Sequence, residues 1–306
     1  MELFSKPEVC VLKESNTAET YLQKLEKLLP KAEGDTAKAI EKEIFVTKAG
    51  IAGENTIMYE LKNSGMDLVV LHDLYLETSS DTSAQIDFLV ITNKLIFVLE
   101  CKNLFGNIEI NNKGDFIRTI RYGNKYYKEG IYSPITQNER HLQVIKDKKV
   151  ENMGKLMRVF LNSGFDDLFK SLVVLANPKT VVNDKYAKKE VKDKIVRADQ
   201  LVSTMKAMNK TSKEVKSSSK DMKMIGEKWL SRCVEHNDER ILKFEQMIQE
   251  DVKELTEKDI AEANEEKICP RCGHPLILRE AKRGEHAGEQ FWGCSNYPHC
   301  RYIEKL

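Results

Sequence analysis

Early in the chain, Tyr21, Leu22, Leu25, Leu28 and Leu29 recur at helical spacing. That pattern predicts an amphipathic helix from about Ala18 to Leu29, halted by Pro30 and preceded by a short apolar piece at Val9 to Leu12. A longer helical stretch covers Thr36 to Lys62, weakened around Gly50 and Gly53 and stopped at Asn63-Ser64-Gly65. The period then shortens. Leu68 to Leu76, Gln85 to Ile91 and Leu95 to Cys101 are rich in Val, Ile, Leu and Phe, with turn chemistry between them at Thr78-Ser79-Ser80-Asp81 and Thr92-Asn93-Lys94. Three consecutive antiparallel strands are expected, and the third, apolar on both faces, belongs in the middle of its sheet.

Gly106, Gly114 and Gly123 then punctuate short alternating runs, which predicts a hairpin extension. Ser133-Pro134 opens a helix to about Lys146, with Ser at the cap and Pro at the first helical position. A helix near Lys155 to Leu161 leads to a buried strand at Ser171 to Ala176, giving the order helix, three strands, helix, strand. Asp199 to Met208 reads as helical. After Ser217-Ser218-Ser219, one or two helices extend from Asp221 to about Glu266, carrying an apolar stripe of Ile241, Phe244, Ile248, Val252 and Leu255. The organisation expected is a helical extension at 1–35, a main domain at 36–210, a helical connector at 211–266 and a small module at 267–306.

The longest apolar runs, such as Leu95 to Leu99, fall far short of the ~20 residues a bilayer crossing needs. No secretory signal opens the chain, so a cytoplasmic protein without membrane contact is expected. With 49 basic and 48 acidic residues the net charge is only +1, and attraction for polyanions depends on segregation. The charges do segregate: Val181 to Lys228 holds 13 basic residues against 7 acidic, Trp229 to Ile268 holds 6 against 12, and the end from Cys269 holds 6 against 4. Taken alone, such stretches are ordinary solvated helix faces.

Candidate chemistry begins at the end of the third strand, where Glu100 and Lys102 project on one face and Cys101 on the other. An acid and a base closing an apolar run must be paired or bound to a cation. Asp87 interrupts the preceding strand, Ile86-Asp87-Phe88-Leu89-Val90, and antiparallel pairing can bring it beside Glu100. Two carboxylates that close repel unless a divalent cation lies between them, and hard oxygen ligands favour Mg²⁺ or Mn²⁺. Such a cation would activate a water and hold a phosphate oxygen, with Lys102 orienting the water or stabilising the charge that builds. Glu54, on the helix face expected to pack on the sheet, and Gln137, in the first turn of the Ser133 helix, could complete the set.

Gly53-Glu54, Gln85-Ile86-Asp87-Phe88, Val98 to Asn103 with Gly106 following, and then Pro134 and Gln137, resemble the motifs of the NERD (nuclease-related) domain. That domain is a branch of the restriction-endonuclease-like PD-(D/E)xK superfamily. The resemblance covers about Thr36 to Ala176. It implies an α/β fold with a restriction-endonuclease-like αβββαβ core and a mixed central sheet. It further implies metal ligation by Asp87 and Glu100, a catalytic Lys102, and supporting roles for Glu54 and Gln137. One departure is Ile86, where the superfamily pattern has Pro before the acid.

Of seven cysteines, four crowd into the last 38 residues as Cys269-x2-Cys272, a 21-residue spacer, and Cys294-x5-Cys300. Four thiolates on two knuckles suit tetrahedral structural Zn²⁺, and so small a module has little else to keep it folded. His299 adjoins Cys300, but four cysteines already complete the shell; His274 and His286 read as surface residues. Phe291 to Pro298 resembles the C4 zinc ribbons of bacterial type IA topoisomerases. The resemblance implies single-stranded DNA binding, with Phe291, Trp292 and Tyr297 as stacking platforms and Arg271, Arg279, Lys282, Arg283 and Arg301 on the phosphates. Equally open is that Phe291 and Trp292 form the ribbon's miniature core.

Together these features predict a Mg²⁺- or Mn²⁺-dependent DNA nuclease with a nucleic-acid-binding ribbon. The alternatives are a non-catalytic DNA-binding adaptor, or a recruitment protein whose Ile241 to Leu255 stripe docks a helicase or defence-system partner. A homo-oligomer fits a superfamily in which one site cuts one strand. No phosphate-binding GxxxxGK[ST] and no Ser/His/Asp arrangement is present.

Overall fold

The computed structural model describes residues 7–151, 153–154, 157, 163–235, 239–263, 267–282 and 288–305. The chain forms two compact units, Met1–Leu242 and Lys243–Leu306. In the first, β1 (Val9–Lys13), α1 (Thr17–Leu28) and α2 (Gly34–Lys62) precede the antiparallel strands β2 (Leu68–Glu77), β3 (Ser83–Ile91) and β4 (Ile96–Lys102). A meander follows, made of β5 (Asn107–Ile110), β6 (Phe116–Tyr122) and β7 (Lys125–Ile131), before α3 (Pro134–Val150). The chain continues through α4 (Phe165–Leu168), β8 (Phe169–Leu175), β9 (Val182–Asn183), α5 (Lys189–Lys192), β10 (Ile195–Arg197), α6 (Ala198–Thr211) and α7 (Ser219–Leu230). The expected helix near Lys155 to Leu161 falls largely outside the described residues.

The central sheet has the order β1-β2-β3-β4-β8-β10 and is mixed: β1, β8 and β10 pair in parallel, while β2, β3 and β4 pair antiparallel. Its period-2 pattern feeds two cores. Phe97 and Leu99 of β4 join Ile57, Leu61, Leu201 and Met205 under α2 and α6. Ile96 and Val98 join Val144, Ile145, Met222 and Trp229 under α3 and α7. β4 is therefore covered on both faces, which is why its sequence is apolar on both, and it lies inside the sheet as the αβββαβ reading requires.

Local chemistry fixes the elements that matter for the site. The Ser133 hydroxyl accepts from the Thr136 N–H and Pro134 occupies the first turn, so α3 starts where the cap signal places it. The fully buried Asn138 donates from Nδ2 to the carbonyls of Val98 and Leu172, at 3.0 and 3.1 Å, pinning α3 across β4 and β8. α2 runs unbroken through both glycines, and Gly53 has a packing reason to be there. A Cβ at that position would stand 2.8 Å from Asn103 Cβ and 3.0 Å from Cys101 Sγ, so only glycine lets the helix approach the end of β4 this closely.

The second unit holds most of α8 (Arg240–Ala263), then β11 (Leu276–Glu280), β12 (Gln290–Cys294) and β13 (Ile303–Lys305), paired antiparallel. Its core is Cys269, Leu276, Cys294 and Cys300, with Cys272, Trp292 and Tyr302 packed on it. Of the apolar stripe along α8, Ile241 and Phe244 are buried and Val252 is exposed; the side chain of Leu255 lies outside the described residues. Among the described residues no helix is long and apolar enough to cross a membrane.

Candidate functional site

Regular pairing of β3 with β4 stops at Phe88↔Leu99, so the next position on each strand carries an acid: Asp87 and Glu100. The strands part here for a chemical reason. The Cys101 N–H turns to donate to Asp87 Oδ2 at 2.7 Å, tying the Asp87 carboxylate to the end of β4. Burial, then the negative charges of Glu100 and Glu54, push the Asp87 carboxyl well above the usual carboxylate range. Glu54, carried close by the Gly53 contact, accepts from His72 Nε2 at 2.9 Å, and the ring of His72 stacks on Phe88 with centroids 4.7 Å apart. The Ser15 N–H donates to His72 Nδ1, so the proton belongs on Nε2, facing Glu54.

Glu100 is 1% exposed, which demands partners. Oε1 takes Lys102 Nζ at 2.6 Å, and Nζ also donates to Gln137 Oε1 at 3.0 Å, bridging strand and helix. His141, one turn beyond Gln137, brings Nδ1 to 3.2 Å from Glu100 Oε2, an ion-pair distance, without making a hydrogen bond. Oε2 is thus a buried carboxylate oxygen without a hydrogen-bond partner among the described residues. An Asp87 carboxyl crowded by Glu100 and Glu54, next to an orphaned Glu100 oxygen, offers hard oxygen donors of the kind Mg²⁺ or Mn²⁺ takes. Cys101, by contrast, is a poor nucleophile, since burial and the charge of Asp87 push its thiol well up.

A cavity of about 50 Å³ beside the acids is lined by Glu54, His72 and Asp87 together with Ser15, Thr17, Asp73 and Gln85. Asp73 lies in β2 with φ of 58°, a left-handed conformation unusual for a non-glycine residue. Although burial opposes it, hydrogen bonds from Ser15 and Gln85 and the charge of Lys13 hold Asp73 below the usual carboxylate range. The Asp73 charge is therefore favoured by its neighbours, whereas that of Asp87 is opposed by its own.

The structure brings together all five residues singled out in the sequence, Glu54, Asp87, Glu100, Lys102 and Gln137. It adds His72, His141, Asp73 and the Ser15 turn, which the motif reading did not include. His141 carried a usable signal: it lies four residues after Gln137 and so on the same helix face.

In the second unit the four Sγ atoms of Cys269, Cys272, Cys294 and Cys300 lie within 4.8 Å of one another. Among the described residues it is the one group of three or more metal-binding side chains gathered this closely. Cys272 and Cys294 are 3.3 Å apart and Cys269 and Cys300 are 3.7 Å apart, both within about half an ångström of the ~3.8 Å edge of a tetrahedron with ~2.3 Å Zn–S bonds. A backbone hydrogen bond from His274 pulls the Cys272 thiol down to about 6, so thiolate is already favoured there.

The ribbon separates the aromatic trio. Trp292 packs on the cysteine core under Lys267 Nζ, 5.2 Å from its ring. Phe291 and Tyr297 share with Arg279, Arg301 and Tyr302 a concave surface enclosing about 270 Å³. Tyr297 is 60% exposed and lies 5.8 Å from the Arg279 guanidinium. Arg271 is exposed in the first knuckle, and Arg283 lies outside the described residues.

Comparison with known families agrees with both regions. Residues 49–176 match the family model of the nuclease-related domain, NERD, and residues 266–306 match that of the topoisomerase DNA binding C4 zinc finger. The chain therefore carries a nuclease-related domain and a zinc ribbon of the DNA-binding type. Among curated proteins it is similar, in their zinc-ribbon regions, to DNA topoisomerase 1 of Methanocaldococcus jannaschii, 43% identical over 49 residues, 16% of this chain and 6% of that protein. It is also similar to DNA topoisomerase 1 of Mycoplasma genitalium, 44% over 52 residues, 17% and 6%, and of Archaeoglobus fulgidus, 36% over 90 residues, 28% and 12%. The chain thus spans only a small fraction of the relatives it matches. No solved structure matches it.

Proposed function

We propose that this protein is a metal-dependent nuclease that hydrolyses phosphodiester bonds of DNA in its first unit and uses its ribbon to hold single-stranded DNA. The observation that carries the reading is the joint placement of Asp87, Glu100, Lys102 and Gln137 where β3 and β4 part. A buried ion pair alone is a common structural device. A raised Asp87 carboxyl and a buried Glu100 oxygen that accepts no hydrogen bond among the described residues, set beside that pair, suit a cation.

Asp87 and Glu100 would hold Mg²⁺ or Mn²⁺, and Glu54 stands near enough to raise Asp87 and to contribute through it. When bound, the ion supplies Lewis acidity toward a phosphate oxygen and lowers the pKa of a water. The chain's own residues do the rest. Gln137 and Glu100 fix Lys102 Nζ between helix and strand, so its charge is aimed before substrate arrives and costs no reorganisation during reaction. His72 orients Glu54, and Asn138 sets the height of α3 and hence of Gln137. In the ribbon, the four cysteines would hold zinc and with it the surface of Phe291, Tyr297, Arg279 and Arg301, on which bases would stack while Arg271, Lys282, Arg283 and Arg301 meet phosphates.

The test is cleavage of linear and circular single- and double-stranded DNA in Mg²⁺ or Mn²⁺ by the purified chain, beside Glu100→Ala and Lys102→Ala. Metal-dependent cutting that both substitutions abolish is expected, with circular forms digested if the enzyme acts internally. A protein that binds DNA and cuts none of these substrates would instead be a non-catalytic adaptor.

A further inference from the structure

Between Lys102 and Ser133 the chain leaves the central sheet to build the meander β5-β6-β7, and both of its roots lie at the proposed site. β5 starts five residues after Lys102. β7 ends two residues before Ser133, the cap of the helix whose Gln137 holds Lys102. The near end packs: Ile108, Ile110 and Phe116 join Ile135, Val173 and Leu175 in a small core. The far end does not. β7 is exposed at every position from Lys125 to Gly130, and Tyr122, Tyr126 and Tyr127 are exposed by 63, 65 and 53%.

Strand register sorts these side chains onto two faces. Tyr122 stands opposite Lys125 and Ile120 opposite Tyr127, with Tyr122 and Tyr127 meeting edge to face at 5.8 Å. On the other face Arg121 stands opposite Tyr126, its guanidinium 5.7 Å from the ring, and Thr119 stands opposite Lys128. From Phe116 to Ile131 there are four basic residues against one acid, and that acid, Glu129, is taken by Arg118. An edge strand needs charges to discourage pairing with other chains, which would account for the lysines. It does not account for three tyrosines held in water on both faces.

We propose that the β6–β7 hairpin is a strand-engaging arm. Tyr122, Tyr126 and Tyr127 stack unpaired bases, and Arg121, Lys125 and Lys128 meet the flanking phosphates. The partner is single-stranded DNA, because an unpaired base offers a free π-face and duplex bases are already stacked on one another. The proposal rests on the nuclease reading for the identity of the substrate, and it gives that site a means to prefer unpaired segments beside it.

The test uses the full chain in zinc-containing buffer without Mg²⁺ or Mn²⁺, so that binding is read apart from cutting. Anisotropy is measured with a labelled single strand and its duplex, for the wild type, the triple variant Tyr122→Ala/Tyr126→Ala/Tyr127→Ala, and the corresponding triple Phe variant. The Ala variant is expected to bind single strands about tenfold or more weakly with duplex binding little changed, and the Phe variant to bind like the wild type. Photocrosslinking of iodouracil-containing single strands should place adducts on 121–128 as well as on the ribbon. Unchanged single-strand affinity, with adducts confined to the ribbon, would overturn the proposal. So would a dimer that the Ala variant dissociates without loss of DNA affinity, since the hairpin would then be an interface between copies. A wild type that crosslinks through the hairpin but cuts nothing in Mg²⁺ or Mn²⁺ supports the arm and defeats only the nuclease reading.

Discussion

The two clusters of ligand-type side chains in this protein reach their geometry by opposite routes. In the ribbon, Cys269, Cys294 and Cys300 are the core, and little else is buried with them beyond Leu276. Remove whatever binds the four thiols and only Leu276, Trp292 and Tyr302 remain to hold three short strands together, too little apolar surface for so small a unit. At the carboxylate site the order is reversed. Phe97, Val98 and Leu99 are fully buried between two helical layers, and they would place Glu100 whether or not a cation were bound. In one unit the metal is expected to make the fold; in the other, the fold makes the proposed cation site and tolerates the repulsion of Asp87 by Glu54 and Glu100 to do so.

The sharpest way to break this contrast is to remove zinc. Cys294→Ser, or a strong chelator, should unfold the ribbon outright, since structural zinc contributes on the order of 10 kcal/mol to so small a module. Hydrogen exchange should then show protection lost over 267–305 and kept in β2, β3 and β4. Loss of protection in both would mean that the central sheet also depends on the ion.

Next in size are the catalytic losses. Glu100→Ala or Lys102→Ala should lower the cleavage rate by about 10²–10⁴ with β4 still protected from exchange, a range typical of removing one charged group that acts in the transition state. His141→Ala should cost far less than either, because His141 makes no hydrogen bond to Glu100.

Gly53→Ala probes how closely the fold must place the site. The added Cβ meets the Cβ of Asn103, an atom at the root of its side chain, so the helix itself has to move. A loss of about 1–3 kcal/mol in urea unfolding is expected, together with reduced cleavage as Glu54 shifts. Stability unchanged by this substitution would show that α2 does not touch β4 as described.

The smallest effect concerns pH. Because Asp87 has a raised carboxyl in the folded protein, its contribution favours the fold at low pH and is lost as pH rises through that raised value. Without divalent metal, Asp87→Asn should therefore raise Tm at neutral pH and flatten its fall with rising pH. The shift should be a few degrees, at about 2–4 °C per kcal/mol for a domain of this size. Asn can still accept the Cys101 N–H, so the strand ends stay tied. A lower Tm for the variant would mean that the acids are not in conflict.

Much of this was legible in the residue pattern. Period-2 runs broken by turn residues gave β2, β3 and β4, because such short-range signals survive into the fold unaltered. Glu100 and Lys102 stood out as charges at the end of a doubly apolar strand. What was not legible depends on contacts distant in sequence. Val9–Lys13 looked like a stray apolar piece, yet it adds to the sheet edge by parallel pairing with residues nearly sixty positions away. His72 acquires a role only once the 18-residue separation from Glu54 closes to 2.9 Å. The left-handed backbone at Asp73 has no counterpart in its neighbours' identities, and the exposure of β7 could not be seen from alternation alone.

The claim that the sheet prepares a cation site is tested most directly by Mn²⁺ binding to the zinc-loaded chain, followed by electron paramagnetic resonance. The wild type should bind Mn²⁺ at a site that Asp87→Asn and Glu100→Gln each weaken strongly, with amide exchange in β3 and β4 the same in all three proteins. Binding that survives both substitutions, or no binding by a wild type whose central sheet is folded, would contradict it.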